Sequence, residues 1–188
     1  MFSADELVSV HEWLAEAGLR GEAPERVFAS FCEKLAAGGL PIRRAHIAIA
    51  TLNTSVRAYS LTWTKGEIAR TAFRHGRIPT EEWKASPFLH MLNSREQVLR
   101  RRLAGQGAVL DFPVLREFAA AGLTDWLGVL VSFHWSADLV EGGRIGMITS
   151  WATDDPLGFS DSEIAGIQRL LPSFAAVIKT ATVTDIAH

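Results

Sequence analysis

Residues 160–188, SDSEIAGIQRLLPSFAAVIKTATVTDIAH, read as one long helix, and no other stretch constrains the fold as tightly. Ser160 and Glu163 stand three apart, the capping-box spacing in which each side chain satisfies the other's orphan backbone donor. Ile164, Ile167, Leu171, Phe174, Ile178 and Ala181 then recur at alternating steps of three and four. That periodicity is a heptad stripe, the seam by which a helix meets a partner helix. With no C-cap, glycine or closing loop after it, the helix is expected to be a cut connector, with residues 175–188 leading out of a regulatory module. Pro172 removes one amide donor inside it, which reads either as a hinge or as a tolerated kink.

A chain of 188 residues suits a single domain, 1–188, able to bury its own core. Hydrophobic residues make up 48% and charged residues 21%, which argues against disorder. A formal charge of −2 gives no electrostatic case for nucleic acid or an acidic membrane. No apolar run approaches the roughly 20 residues that span a bilayer. The acidic opening MFSADELVSV has no cleavable apolar core, so no signal peptide is expected. The lone Cys32 cannot close an internal disulfide, so a cytoplasmic location fits best.

Ser3 and Glu6 repeat the capping-box spacing, and Leu7, Val10, Leu14 and Ala17 follow, predicting a helix over 4–18 that stops at Gly18. Pro24 opens a second helix whose apolar face is Val27, Phe28, Phe31 and Leu35 and which ends near Gly38 and Gly39. Residues 45–52 and 56–64 predict a hairpin around Asn53-Thr54-Ser55, with a third short strand over 70–74. Ser86 and Pro87 start a short helix, residues 97–103 read as a strand, and Asp111 and Pro113 start another helix that ends at Gly122. Strands over 125–134 and 144–151, joined through Glu141-Gly142-Gly143, precede the last helix. No run of strand–helix–strand units suggests a parallel sheet, so the fold class is α+β with a central antiparallel sheet. The N- and C-terminal helices are expected on one face, and the short helices and loops of 65–124 over the other, enclosing any pocket.

Phosphate loops of the GxxxxGK[ST] type, GxGxxG, Cys-x-x-Cys and Gly-x-Ser-x-Gly are absent. Glu81-Glu82 and Asp154-Asp155 sit beside turn or helix-start signals, where acids serve as caps. Arg100-Arg101-Arg102 would alternate along a strand, with Arg101 facing away from its neighbours. The run is either a charge-protected edge or the source of a pocket arginine that clamps a carboxylate or phosphate. His75, His90 and His134 fall near the expected cavity and His46 on the first strand. His90 and Met91 cannot both ligate one haem iron, because adjacent helical side chains diverge by about 100°. Cys32 reads as a buried thiol.

The element order resembles that of GAF domains, the small-molecule-sensing fold. More specifically, WLAEAGLRG (13–21), FCEKLAAGGLPIRRAHIAIATL (31–52), SPFLHML (86–92), LRRRLAGQGAVLDFPVLREFAAAGLTDWLGV (99–129) and ATDDPLGFSDSEIAGIQRLLPSFAAVIK (152–179) resemble the N-terminal regulatory region of bacterial, rhizobial-type class III adenylate cyclases. The resemblance implies a non-enzymatic GAF-like sensor of cyclic AMP synthesis whose catalytic domain lies downstream and is missing from this chain. It also implies a homodimer, since class III cyclases build active sites between two copies; the terminal helices would form the bundle. The Asn-Lys-x-Phe-Asp-Glu motif of cyclic-nucleotide-binding GAF domains and the cysteine placement of bilin-binding ones are absent, so the cofactor or ligand is unassigned.

Six tryptophans against one tyrosine suggest either large core fillers or an aromatic-lined pocket. The pocket residues expected are Trp63, Phe88, His90, Arg101, Phe112, Trp126 and Trp151. The alternative to a sensor is a ligand-free dimerisation or scaffold module of the same fold. A free-standing sulfoxide reductase of related fold would need reactive cysteines, which Cys32 alone does not supply.

Overall fold

A computed structural model describes residues 3–50, 56–74, 80–133 and 146–186. Helix α1 (Ala4–Arg20) starts at the expected capping box: Ser3 Oγ accepts the Glu6 amide at 3.2 Å, and Glu6 accepts the Ser3 amide at 2.6 Å. It runs past the predicted stop. Gly18 lies inside the helix, where a Cβ would stand 3.4 Å from Val177, and Gly21 ends the helix in the left-handed conformation at φ 63°. The glycine chosen by position alone thus serves close packing, and the next one serves the turn. Helix α2 (Pro24–Ala37) begins with proline, as its sequence predicts.

Among the described residues six antiparallel strands follow, interrupted by three short helices: β1 (Arg44–Ala50), β2 (Val56–Thr64), β3 (Glu67–Arg74), α3 (Glu81–Lys84), α4 (Pro87–Ser94), β4 (Val98–Arg102), α5 (Pro113–Ala120), β5 (Asp125–Ser132) and β6 (Gly146–Thr153). Helix α6 (Asp161–Ile186) closes the order. The sheet is arranged β3-β2-β1-β6-β5-β4, so the first and last strands in sequence lie side by side at its centre. Asp111 does not cap α5. Phe112 holds the cap position without a side-chain bond, because Asp111 turns away to an ion pair with Arg101.

Alternation along each strand sorts the sheet into two faces. Ala45, Ile47, Ile49, Tyr59, Leu61, Trp63, Leu127, Val129 and Trp151 point towards α1, α2 and α6 and form the main core. Phe31 stacks on Phe174 with ring centroids 4.3 Å apart and meets Trp151 edge-on at 6.0 Å. Each such ring contributes roughly 1.5–3 kcal/mol by leaving water. The second face carries a smaller cluster of Met91, Leu99, Leu103, Leu115, Leu123 and Trp126 beneath α4 and α5.

The apolar stripe of α6 corrects the sequence reading. Ile167, Leu171, Phe174 and Ile178 are buried in the chain's own core, as are Val10, Leu14 and Ala17 of α1. The sheet's apolar face consumes both stripes, so neither stands free as a seam for a second copy. The capping box at Ser160 and Glu163 forms as expected, and α6 passes through an exposed Pro172 unbroken.

Candidate functional site

The second face of the sheet is the candidate binding surface, and its composition follows from strand register. One cross-strand row reads Thr64, Arg44, Ala152, Trp126, Arg101. The next reads Thr62, His46, Ser150, Gly128, Leu99, and a third Ser60, Ala48, Ile148, Leu130. The β4–β5 half of this face is apolar and lies under α4 and α5. The β1–β2 half is polar.

His46 anchors the polar half. Its Nδ1 shares a 2.9 Å hydrogen bond with the Thr62 hydroxyl, and the Phe88 ring, inclined 26° to its own, lies 6.4 Å away between centroids. Burial, with a smaller contribution from the charge on Arg44, lowers the imidazole pKa from 6.5 to about 4. The ring is therefore neutral near pH 7 and can accept or donate one further hydrogen bond. Ser150 beside it is 2% exposed.

Arg44 is the unusual cation of this surface. Its guanidinium lies 4.8 Å from the Phe118 ring centroid, and burial pulls its pKa below the usual value. Among the described residues no carboxylate pairs with it, whereas Arg43 next to it reaches Asp154 at 3.2 Å. Aromatic contact and partial burial hold a positive charge without a counterion.

The seven residues expected to line one pocket separate onto different surfaces. Trp63 and Trp151 flank Ala45 on the opposite, helix-covered face, 5% and 0% exposed. They belong to the main core. Trp126 and Phe88 meet on the second face with ring centroids 5.8 Å apart. Arg101 points to that face, as strand alternation predicts, but donates to Asp111 at 2.8 and 3.0 Å and so is not free to clamp a ligand. His90 and Phe112, with rings 5.5 Å apart, line an outer cleft of about 390 Å³ between α3, α4 and the start of α5, along with Lys84, Ser86, Asn93 and Asp111. His90 also reaches Glu96 at 3.4 Å, while Met91 turns into the apolar cluster.

His75, His134, Trp135 and the Glu141-Gly142-Gly143 loop lie outside the described residues. Cys32 is buried and its pKa is raised by desolvation, which makes it a poor nucleophile. Among the described residues no cluster of His, Cys, Asp or Glu could hold a metal ion, and no helix is long and apolar enough to cross a membrane.

None of Arg44, His46, Thr62 and Ser150 is among the pocket residues expected from sequence, although His46 is placed there on the first strand. The strand expected over 45–52 begins at Arg44 in the structure, and its polar residues Arg44 and His46 fall at alternate positions, as do Ser60, Thr62 and Thr64 on β2. That alternation was the available signal for a polar floor.

No protein-family model matches the sequence, and no curated protein matches it. Solved structures do. The chain is 16% identical to the GAF domain of a two-component sensor histidine kinase from Bacillus halodurans, with 98% of this chain and 99% of that one covered and a TM-score of 0.52. The phycoerythrobilin-bound GAF domain of a cyanobacterial phytochrome matches at 13% identity over 95% and 96% of the two chains, with a TM-score of 0.56. The GAF domain of a phosphoenolpyruvate-protein phosphotransferase from Coxiella burnetii matches at 14% identity over 97% and 98%, with a TM-score of 0.54. The chain has the GAF fold, with its six-stranded antiparallel sheet and terminal helices on one face.

Proposed function

We propose that this chain is a non-enzymatic sensor that binds a small molecule on the second face of its sheet and signals through its terminal helices. The observation that carries this reading is the asymmetry of the sheet. One face is sealed by α1, α2 and α6, while the other keeps a polar floor of Arg44, His46, Thr62 and Ser150 beside the rings of Phe88 and Phe118. A few directed polar groups against aromatic walls are the usual make-up of a ligand site. One similar structure, the cyanobacterial phytochrome GAF domain, has phycoerythrobilin bound.

The finer assignment is a regulatory domain of an adenylate cyclase, acting in cis on a downstream cyclase domain in the cytosol. It rests on the sequence resemblance over residues 13–21, 31–52, 86–92, 99–129 and 152–179. The working unit in this proposal is a homodimer paired through α1 and α6. Since their apolar stripes are spent on the core, the pairing would use their outer flanks, where Val8 and Leu19 of α1 are 55% and 90% exposed. A ligand shifts such a pair only by its differential affinity for two helix arrangements. Of the residues first expected in the pocket, Phe88 and Trp126 remain its proposed walls.

One observation favours the ligand-free scaffold reading: Met91, Leu99 and Trp126 already fill the apolar half of the second face. Native mass spectrometry of the chain as purified from cells separates the two. Added mass that leaves on denaturation supports the sensor, and a bare dimer at twice the chain mass supports the scaffold. A monomer would overturn the dimer proposal.

A further inference from the structure

We propose that the polar floor of the second face takes a small monocarboxylate, its charged group on Arg44 and its apolar body along Phe88. The proposal rests on the sensor reading above and names the chemical class of its ligand. Four observations converge on it.

First, Arg44 is a half-buried cation with an aromatic contact and no carboxylate partner among the described residues. Withdrawing a charge from water without a counterion is costly, and a site shaped to receive an anion recovers that cost when the anion arrives. A guanidinium fits a carboxylate with two parallel donors.

Second, the charge count suits a monoanion. His46 is neutral near pH 7, and Arg101 at the far end of the row is already matched by Asp111. With Glu67 exposed at the row's other end, Arg44 is left as a single cation with no ion-pair partner among the described residues, where a phosphate dianion would call for more.

Third, the donors are placed to extend the site. Thr62 and Ser150 stand in the row adjoining Arg44, two residues along β1 and so about 6.6 Å away. Ser150 is 2% exposed and stands opposite His46 in that row. Fourth, Phe88 lies inclined 26° over the His46 ring and tilted against Trp126, an apolar wall beside the polar row.

The test uses benzoate and its neutral isostere benzamide as probes, titrated calorimetrically into the whole chain. Wild type should prefer benzoate at least tenfold. Arg44→Gln should abolish that preference, Arg44→Lys should keep part of it, and Arg43→Gln, one residue away and paired with Asp154, should leave it intact. Thermal melts of each variant establish that it is folded. Equal affinity for the two probes, or a preference that survives Arg44→Gln, overturns the carboxylate assignment while leaving the sensor reading in place. Failure of benzoate to bind by about 10 mM also overturns it, since charge-assisted binding this direct should register there. If no co-purified mass is found either, the sensor reading falls with it.

Discussion

The buried carboxylate of Asp125 accepts the backbone N–H of Phe159 at 3.0 Å, tying β5 to the last residues before α6. Arg100 and Arg102 approach the same carboxylate at 2.7 and 3.4 Å, and Arg100 also donates to the Phe159 carbonyl at 2.6 Å. Sheet and final helix are thus joined through one ion that is 0% exposed.

Removing that ion should be expensive. Asp125→Asn leaves two arginines facing a neutral amide, and a broken buried pair costs about 3–5 kcal/mol. The lower end applies, because both arginine side chains are 31% exposed. Gly158→Ala should act at the same place by another route. At φ 71° its Cβ would stand 1.8 Å from Arg102 Nη1 and 2.6 Å from Asp125 Oδ2. Urea midpoints measure both; an unchanged midpoint in either variant would show that the ion is not holding this junction.

Phe174 should report on folding before it reports on association. The sequence made it a residue of the dimer seam, whose charged replacement would separate two copies. In the structure it is 0% exposed and stacked on Phe31, so Phe174→Ala should cost about 3–5 kcal/mol. Phe174→Asp should lose its far-ultraviolet dichroism. A folded monomer seen by dichroism and sedimentation together would restore the seam.

His46 predicts a pH dependence. Its folded pKa of about 4 lies below the unfolded value of 6.5, so between these limits the unfolded chain binds more protons. Stability from this group is complete above pH 6.5, falls as pH drops towards 4 and is gone below that. The change is of the order of 3 kcal/mol. Because carboxylates titrate in part of the same range, the measurement is the difference in urea stability between wild type and His46→Gln at several pH values. Parallel curves would mean the imidazole is not held neutral.

Trp63 and Trp151 should respond differently to loss of the indole N–H. Trp151 Nε1 donates to Thr149 at 3.2 Å, whereas the buried Trp63 Nε1 has no partner among the described residues. Each change to phenylalanine shrinks the core. Trp63→Phe also removes an unsatisfied donor, so it should be milder than Trp151→Phe by about 1–2 kcal/mol. Equal losses in thermal or urea unfolding would count against this.

Much of the fold was legible because local signals and burial agreed. The capping boxes at Ser3 and Ser160, proline at the head of α2 and α4, and the period-two course of β2 each name an element without tertiary knowledge. Gly18 was misread because a glycine that permits helix contact and one that ends a helix look alike until Val177 is seen above the first. The pocket was less legible for a similar reason. Six tryptophans drew attention by size, but Trp63 and Trp151 occupy odd positions that face the helices. The polar residues of β1 sit at even positions and were masked by the alanines and isoleucines between them. Nor does sequence reveal a missing counterion. That Arg101 meets Asp111 while Arg44 meets an aromatic ring and, among the described residues, no carboxylate is a fact of three dimensions.

The central pairing of β1 with β6 also has a consequence for synthesis. Ile47 lies opposite Thr149, so the middle of the sheet joins segments roughly a hundred residues apart, and contacts that distant close late. While the ribosome is still making the chain, α1, α2 and the first strands must wait with Ile47, Ile49 and Leu61 uncovered, a surface that invites aggregation. Only when β6 emerges can the sheet be completed, and only when α6 follows can its apolar face be roofed. Nascent chains halted before Thr153 should therefore depend on chaperones in a way that finished ones do not.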